Sequence, residues 1–272
     1  MLPLFSFYLI TPFKSLLSCY LNDSIIKKAR LHKLIKIRYI NPRRFASDKH
    51  RTIDDKPFGG GPGMVYMLDP FVKAIEYAKN AGKTKFGHGN KLITYTILFS
   101  PEGKLFNTQF ISDFIGVFIE RQDKNFKLNA KCNSIKEIRF ILVIPRYEGI
   151  DARIYNFVDI SVSVGPFILT GAELPALIFI DSFVRFIPGV LGNYDSVVND
   201  SYFEKNDSTN IIIHKKAPVY TRPFIYKSGK SLYKVPEVLK TGNHEKINIW
   251  RRQNSKRTFL KFLQISDFKL PC

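Results

Sequence analysis

Residues 140–188 read FILVIPRYEGIDARIYNFVDISVSVGPFILTGAELPALIFIDSFVRFIP, and the fold turns on where this stretch changes character. Positions 140–144 form a short run of aromatic and β-branched residues, the pattern of a strand buried on both faces. The run stops at Pro145-Arg146-Tyr147-Glu148-Gly149, so the polar residues fall where the strand ends. A second apolar run, 167–169, stops at Thr170-Gly171-Ala172, and Glu173-Leu174-Pro175 then opens a helical pattern through Leu177, Ile180, Val184 and Ile187. Pro175 belongs in the first turn of that helix, where a missing N–H costs little. Two strands handing over to glycine-bearing loops predict an α/β fold with a parallel sheet. Ligands of such sheets bind beyond the carboxyl ends of the strands, so a small-molecule pocket is expected here.

Working outward, residues 4–10 predict a strand and 13–21 a helix that continues past Asn22-Asp23-Ser24 to 29. Residues 34–39 predict a short strand, and the charged stretch 41–57 a loop. That loop ends in Phe58-Gly59-Gly60-Gly61-Pro62-Gly63-Met64, which suits either a tight bend or a close approach of backbone to ligand. It is neither a P-loop nor a dinucleotide fingerprint: no Gly-Lys-Ser/Thr follows, and Met64 stands where a third glycine belongs. Helical spacing over 70–80, a polar loop at 82–90 and a β run over 91–99 follow; the run ends at Ser100-Pro101-Glu102-Gly103, a third strand-to-loop junction. A helix is expected over 109–116. The polar, lysine-rich stretch 120–136 lacks periodicity and predicts a surface insertion, spanning about 117–137.

The 272 residues suffice for one large core plus a small domain, and an apolar fraction of 45% is that of a globular chain. Forty-two Lys and Arg against 23 Asp and Glu leave +19, which points to a polyanionic partner, nucleic acid before an anionic membrane. Compositional drift toward lysine is the other source of such a balance. The charge is concentrated: residues 211–272 carry 14 basic residues and three acids, a net +11. That favours a nucleic-acid-facing tail domain. Residues 192–208, rich in Asn, Asp and Ser, predict a linker. The chain therefore divides into a domain at 1–191, a linker at 192–208 carrying Asp200, and a basic domain at 209–272 with a final helix from about Glu245. Cys19, Cys132 and Cys272 lack metal-ligand spacing and suit a reducing, cytoplasmic compartment. The amino terminus has no basic n-region or cleavage site, and no run approaches the ~20 apolar residues of a membrane span.

With these pieces in place, the sequence resembles the bacterial tRNA (guanine-N1)-methyltransferase family almost end to end. The matching strings begin with Asn41-Pro42-Arg43, Asp48-Lys49-His50-Arg51 and the run from Asp54-Asp55 through Met64. They continue with Ser100-Pro101-Glu102-Gly103, Arg146-Tyr147-Glu148-Gly149-Ile150-Asp151, Leu169-Thr170-Gly171, Glu173-Leu174-Pro175-Ala176 and Ile187-Pro188-Gly189. Tyr220-Thr221-Arg222-Pro223, Val235-Pro236-Glu237-Val238-Leu239 and Gly242-Asn243-His244 complete the series. The resemblance implies a parallel α/β sheet with a deep trefoil knot, a small helical C-terminal domain, and a homodimer with active sites between subunits. It implies S-adenosylmethionine held by Pro145, by Val164, Gly165, Pro166, Phe167, Ile168 and Leu169, and by Ser100, Pro101, Tyr147, Gly149, Gly171 and Pro175. It implies tRNA contacts from Lys49, His50, Arg51, Asp54, Asp55, Gly59, Gly60 and Gly61, and dependence on Mg²⁺. The family usually has glycine where Pro145 stands, and aspartate and glycine where Pro166 and Ala172 stand. Each proline removes an N–H inside a cofactor loop.

The implied reaction is methylation of guanine 37 at N1, by direct transfer. Asp200, in Asn199-Asp200-Ser201-Tyr202, matches the family's catalytic aspartate and is expected to take the N1 proton. Arg185 matches its arginine and is expected to stabilise charge on O6. By itself, Asp200 reads first as a linker aspartate capping the following helix, and Arg185, on a largely apolar helix, has the alternative reading of a buried ion-pair partner. Two other functions compete: a weakened, RNA-binding relative whose cofactor loops have drifted, and a methyltransferase acting on a different RNA.

Overall fold

Parallel pairing builds the centre of the protein. In the computed structural model, which describes residues 2–82, 90–122, 125–128, 132, 134–191, 211–215 and 217–260, β1 (Leu4–Ile10) is the second strand of a five-stranded sheet. It is flanked by β2 (Ile35–Ile40) and by β8 (Ile135–Val143). Beyond β8 lie β5 (Lys91–Leu105) and then β9 (Ile160–Ser163) at the edge. Every neighbouring pair in this sheet is parallel. Between β2 and β5 come the two-residue strands β3 (Asp54–Asp55) and β4 (Val65–Tyr66), paired antiparallel, and β6 (Ile119–Gln122) and β7 (Asn125–Leu128) follow β5.

Helices cover both faces because both are apolar. Phe5, Phe7 and Leu9 of β1 alternate with Ser6, Tyr8 and Ile10, and all six are buried. On one face Phe7 stacks on Phe140 at 5.5 Å, and Phe140 meets Phe183 edge-on at 4.8 Å. Phe183 belongs to α5 (Glu173–Val184), and Phe114, 5.5 Å from Phe140, to α4 (Thr108–Phe118). Each such pair contributes about 0.5–1.5 kcal/mol beyond area burial. On the other face Tyr8, Ile10, Ile141 and Val143 pack against Phe71, Ala74, Ile75 and Ala78 of α3 (Leu68–Asn80).

A buried polar cluster crosses that second face. Arg139 donates to Glu137 Oε1 from Nε at 2.9 Å and from a terminal nitrogen at 2.8 Å, and to the Ala78 carbonyl at 2.7 Å. Ser6 donates to the same Glu137 oxygen at 2.5 Å, and the guanidinium lies 4.4 Å from the Tyr8 ring centre. The charges are paired and hydrogen-bonded, the condition under which burial is tolerated.

Four expectations need correcting. The helix from residue 13 breaks: α1 (Lys14–Leu21) ends at Asn22, and α2 (Ser24–Leu31) starts afresh with the Asp23 carboxylate accepting from the Ser24 N–H. The strand before Thr170 is β9, while Phe167, Ile168 and Leu169 lie beyond it with Ile168 fully exposed. Their aromatic and β-branched character imitates a strand but serves a surface. The bounds of the expected insertion are too wide, since Phe118 ends α4 and Ile135–Glu137 begin β8, while between them Ile119–Gln122 pairs with Asn125–Leu128. Finally, β5 runs past Phe99: after an irregularity at 100–103, Lys104 and Leu105 pair again with Val162 and Ser163.

The chain divides into two compact units. In the second, β10 (Ile211–Lys215) pairs with β13 (Lys256–Leu260), β11 (Ile225–Ser228) with β12 (Ser231–Lys234), and α6 (His244–Asn254) is the one α-helix among the described residues. The expected helix is thus present but ends at Asn254, and Lys256 and Arg257 belong to a strand. The 192–208 linker and Asp200 lie outside the described residues.

Arg139→Met leaves Glu137 buried without its cation and lowers the unfolding free energy by about 3–5 kcal/mol. Lys73→Ala breaks the exposed Lys73–Asp69 pair (2.7 Å) and changes it by less than about 0.5 kcal/mol. Urea denaturation of the two variants measures both, and equal losses would contradict the assignment.

Candidate active site

Beside one another lie the irregularity of β5 that follows Phe99, the end of β8 at Val143 and the end of β9 at Ser163, and the chain around them encloses a cavity. Its walls are Phe99, Ser100 and Pro101; Pro145 through Gly149; Val162 through Gly165; and Phe167, Leu169, Gly171, Ala172 and Pro175. Eleven of the thirteen expected cofactor positions are there; Pro166 and Ile168 are not. Ile168 points away from the protein altogether, as its complete exposure requires. Sequence reasoning passed over Phe99 as a strand residue, gave Val162 and Ser163 no reading, took Arg146 and Glu148 as members of a motif, and met Ala172 as a departure from the family pattern.

The loop after β8 is fixed on both sides. Toward β4, Glu148 N–H donates to Met64 O at 3.1 Å, Tyr66 N–H to Gly149 O at 3.1 Å, and Asp151 N–H to Tyr66 O at 3.0 Å. Tyr147 takes a left-handed φ of 57°, which a non-glycine residue holds only when its surroundings impose it. Its ring meets Tyr66 edge-on at 5.2 Å. Burial pushes the Tyr66 hydroxyl well above the usual tyrosine range.

Toward α5, the loop is crossed by the segment leaving β9. Ala172 N–H donates to Pro145 O at 2.9 Å, and Arg146 Nε donates to Thr170 O at 3.3 Å. The same Nε lies 3.5 Å from Glu173 Oε1, and the guanidinium covers the Phe13 ring at 4.8 Å. Gly171 sits inside this crossing: a Cβ there would overlap the Glu173 carboxylate and lie 2.8 Å from Arg146 Nε. Burial raises the Glu173 carboxyl above the ordinary glutamate value, opposed by its own backbone hydrogen bond and by Arg146. Pro145 therefore gives up an N–H and uses its carbonyl to hold Ala172, so two of the departures from the family pattern bond to each other. The third, Pro166, lies off the cavity.

The cavity suits S-adenosylmethionine by its chemistry. Its walls are mostly apolar, with Phe99, Val162, Leu169 and Pro175 among them, and include three glycines. Preorganised loops of this kind read a ring edge through N–H and C=O groups. Among the described residues no group of three His, Cys, Asp or Glu is placed to hold a metal ion.

Other expected positions are elsewhere. Asp54 and Asp55 form β3 against Tyr66 and Val65, one strand residue away from the cavity loop. Gly59, Gly60 and Gly61 carry φ values of 85°, 77° and 117°, a succession that admits only glycine, and they are exposed. Lys49, His50 and Arg51 are exposed in the preceding loop. Arg185 closes α5, ten residues beyond Pro175, so about 15 Å of helix separate it from this cavity.

Comparison with known proteins agrees with this geometry. A family model described as tRNA (Guanine-1)-methyltransferase TrmD matches residues 5–265. The chain belongs to the tRNA (guanine-1)-methyltransferase family. Among its relatives, the tRNA (guanine-N(1)-)-methyltransferase of Thermosipho africanus is 38% identical over 246 residues, covering 90% of this chain and 83% of the relative. That of Malacoplasma penetrans is 34% identical, covering 93% and 96%. The crystal structure of tRNA (m1G37) methyltransferase from Aquifex aeolicus superposes with a TM-score of 0.62 at 30% identity, covering 91% of this chain and 87% of that one. The parallel sheet and helices are those of this methyltransferase fold.

Gly171→Ala forces the crossing apart and lowers stability by about 1–3 kcal/mol. Gly116→Ala, on an exposed turn of α4 with open space at its Cβ, raises stability by about 0.5–1 kcal/mol. Thermal denaturation distinguishes the opposite signs. Because the folded protein holds the Glu173 proton more tightly than the unfolded chain, this residue's contribution to stability falls as pH rises above the ordinary glutamate value. Glu173→Gln flattens that part of the profile of unfolding free energy against pH; an unchanged slope refutes the assignment.

Proposed function

We propose that this chain transfers the methyl group of S-adenosylmethionine to N1 of guanine 37 in tRNA, beside the anticodon. The supporting observation is the convergence of eleven expected cofactor positions on one cavity in a chain matched by the family over residues 5–265. When bound, the cofactor supplies an electrophilic methyl on a sulfonium. The described cavity holds one exposed carboxylate, Glu148, and no histidine, so its own residues bind and orient rather than exchange the guanine proton. Asp200 takes that proton, and Arg185 balances the charge left on O6. Guanine must leave its stack to be reached, at a cost of a few kcal/mol.

A second copy of the chain supplies these two residues. About 15 Å of helix separate Arg185 from its own cavity. Beside that cavity the protein exposes Leu16 and Tyr20 on α1, Leu174 and Ile178 on α5, and Phe167 and Ile168. The helices α1 and α5 pack on each other, and burial of such a face against its own copy accounts for an apolar surface otherwise in water. The net +11 of residues 211–272 meets the tRNA backbone. The proposed location is the cytoplasm; among the described residues no helix is long and apolar enough to cross a membrane.

The decisive measurement pairs titration calorimetry with methyl transfer to unmodified tRNA, read as a primer-extension stop at guanine 37. Cofactor binding at micromolar concentration and a stop at that base are expected, and Asp200→Ala abolishes the stop while leaving the heat almost unchanged. No heat up to millimolar cofactor refutes the proposal, and full turnover by the variant refutes the base. Sedimentation gives twice 31.4 kDa for the native protein, and Ile168→Asp shifts it toward one copy.

A further inference from the structure

The hairpin of β11 and β12 spans residues 225–234, IYKSGKSLYK, closed by a two-residue Gly229-Lys230 loop. Gly229 has φ 58° and Lys230 is not left-handed, the pattern of a type II′ turn that matches strand twist. All ten residues are exposed. An isolated two-stranded hairpin is marginal in water, and the pairing of this one continues one step past its strands, where Val235 N–H donates to Phe224 O at 3.0 Å.

Antiparallel register sets Tyr226 directly opposite Tyr233, on the same face as Ser228 and Ser231. The two rings are 6.4 Å apart and tilted by 39°, and each residue remains about 60% exposed, at 59% and 61%. A pair serving only to hold the strands together would hide more of its surface. The charge of the hairpin has one sign: between Asp207 and Glu237 there is no acid, Lys230 stands in the turn, and Lys227 and Lys234 alternate onto the face opposite the tyrosines.

We infer that Tyr226 and Tyr233 form a stacking platform for an unpaired base of the substrate RNA, with Lys230 in the turn on an adjoining phosphate. Exposed aromatic faces beside a lysine suit single-stranded RNA, because every base offers a π face and every nucleotide a phosphate. A duplex keeps its bases stacked and has no use for such a face. The inference rests on RNA being the substrate and adds where a loop nucleotide is held.

Fluorescence anisotropy of the full-length protein with labelled, unmodified tRNA tests it. The Tyr226→Leu, Tyr233→Leu double variant loses at least about fivefold in affinity. The corresponding Phe pair stays within about twofold, and the salt dependence is unchanged because no charge is removed. Equal affinity in the Leu pair, equal loss in the Phe pair, or loss of self-association instead of RNA binding overturns the platform. Ultraviolet cross-linking of the native protein, read by mass spectrometry, decides independently of how the variants fold. RNA adducts within 225–234 support the platform, and adducts confined elsewhere overturn it. If the native protein methylates tRNA but the Leu pair binds as well as it does, only the platform falls. If it methylates none yet the Leu pair binds an unstructured oligoribonucleotide more weakly, the proposed reaction falls and the platform stands.

Discussion

The contact between Arg146 and Glu173 across Gly171 fixes the place of everything at the cavity. Two chain segments from different strand ends pass there at a separation that leaves no room for a Cβ. Glu173 is in the first turn of α5, where a helix N-terminus favours a carboxylate, yet burial disfavours its charge. The guanidinium opposes that effect in part and is itself held by Thr170 and by the Phe13 ring. Loss of Arg146 leaves the buried Glu173 carboxyl without its facing cation, which favours its neutral form further. Through the crossing the loop 145–149 is tied to α5, and through Met64 and Tyr66 to the strand beyond the glycine loop.

How far the sequence was legible follows from which constraints are local. The strands β1 and β8 and the helices α3 and α5 declare themselves by periodicity, because burial on one or two faces writes itself into residue order. The four residues of β9, Ile-Ser-Val-Ser, carry too little pattern beside the louder Phe167-Ile168-Leu169. There, the apolar residues are exposed, and alternation within one chain does not reveal that. The overshoot of β5 was hidden for a related reason. Gly103 must be glycine because a Cβ would lie 2.5 Å from the Val162 backbone, a contact set by a strand sixty residues away.

The site was legible unevenly. Positions supplied by strand ends were foreseeable, since the ends of parallel strands are near one another by construction. The roles of Arg146 and Glu173 were not, because both belong to recurring strings whose internal contact only the crossing creates. The departures at Pro145 and Ala172 looked like damage to cofactor loops. Bonded to each other, they conserve the crossing with a different pair of residues, which removes the ground for regarding the loops as degenerate.

On the proposed reading, binding and proton transfer are divided between two chains. One protomer's cavity is apolar and lined by backbone, a setting that would raise the pKa of any carboxylate placed in it. A general base needs such a shift to act on a guanine N–H near neutrality, but a carboxylate built into the cavity would lie dry even without substrate. Bringing Asp200 from a separate segment lets the carboxylate stay hydrated until RNA and a second chain close around it. Desolvation then arrives with the base it must deprotonate, and the exposed apolar face around Ile168 becomes part of the chemistry: without the contact it makes, the cavity can hold a methyl donor but lacks the proposed base, Asp200.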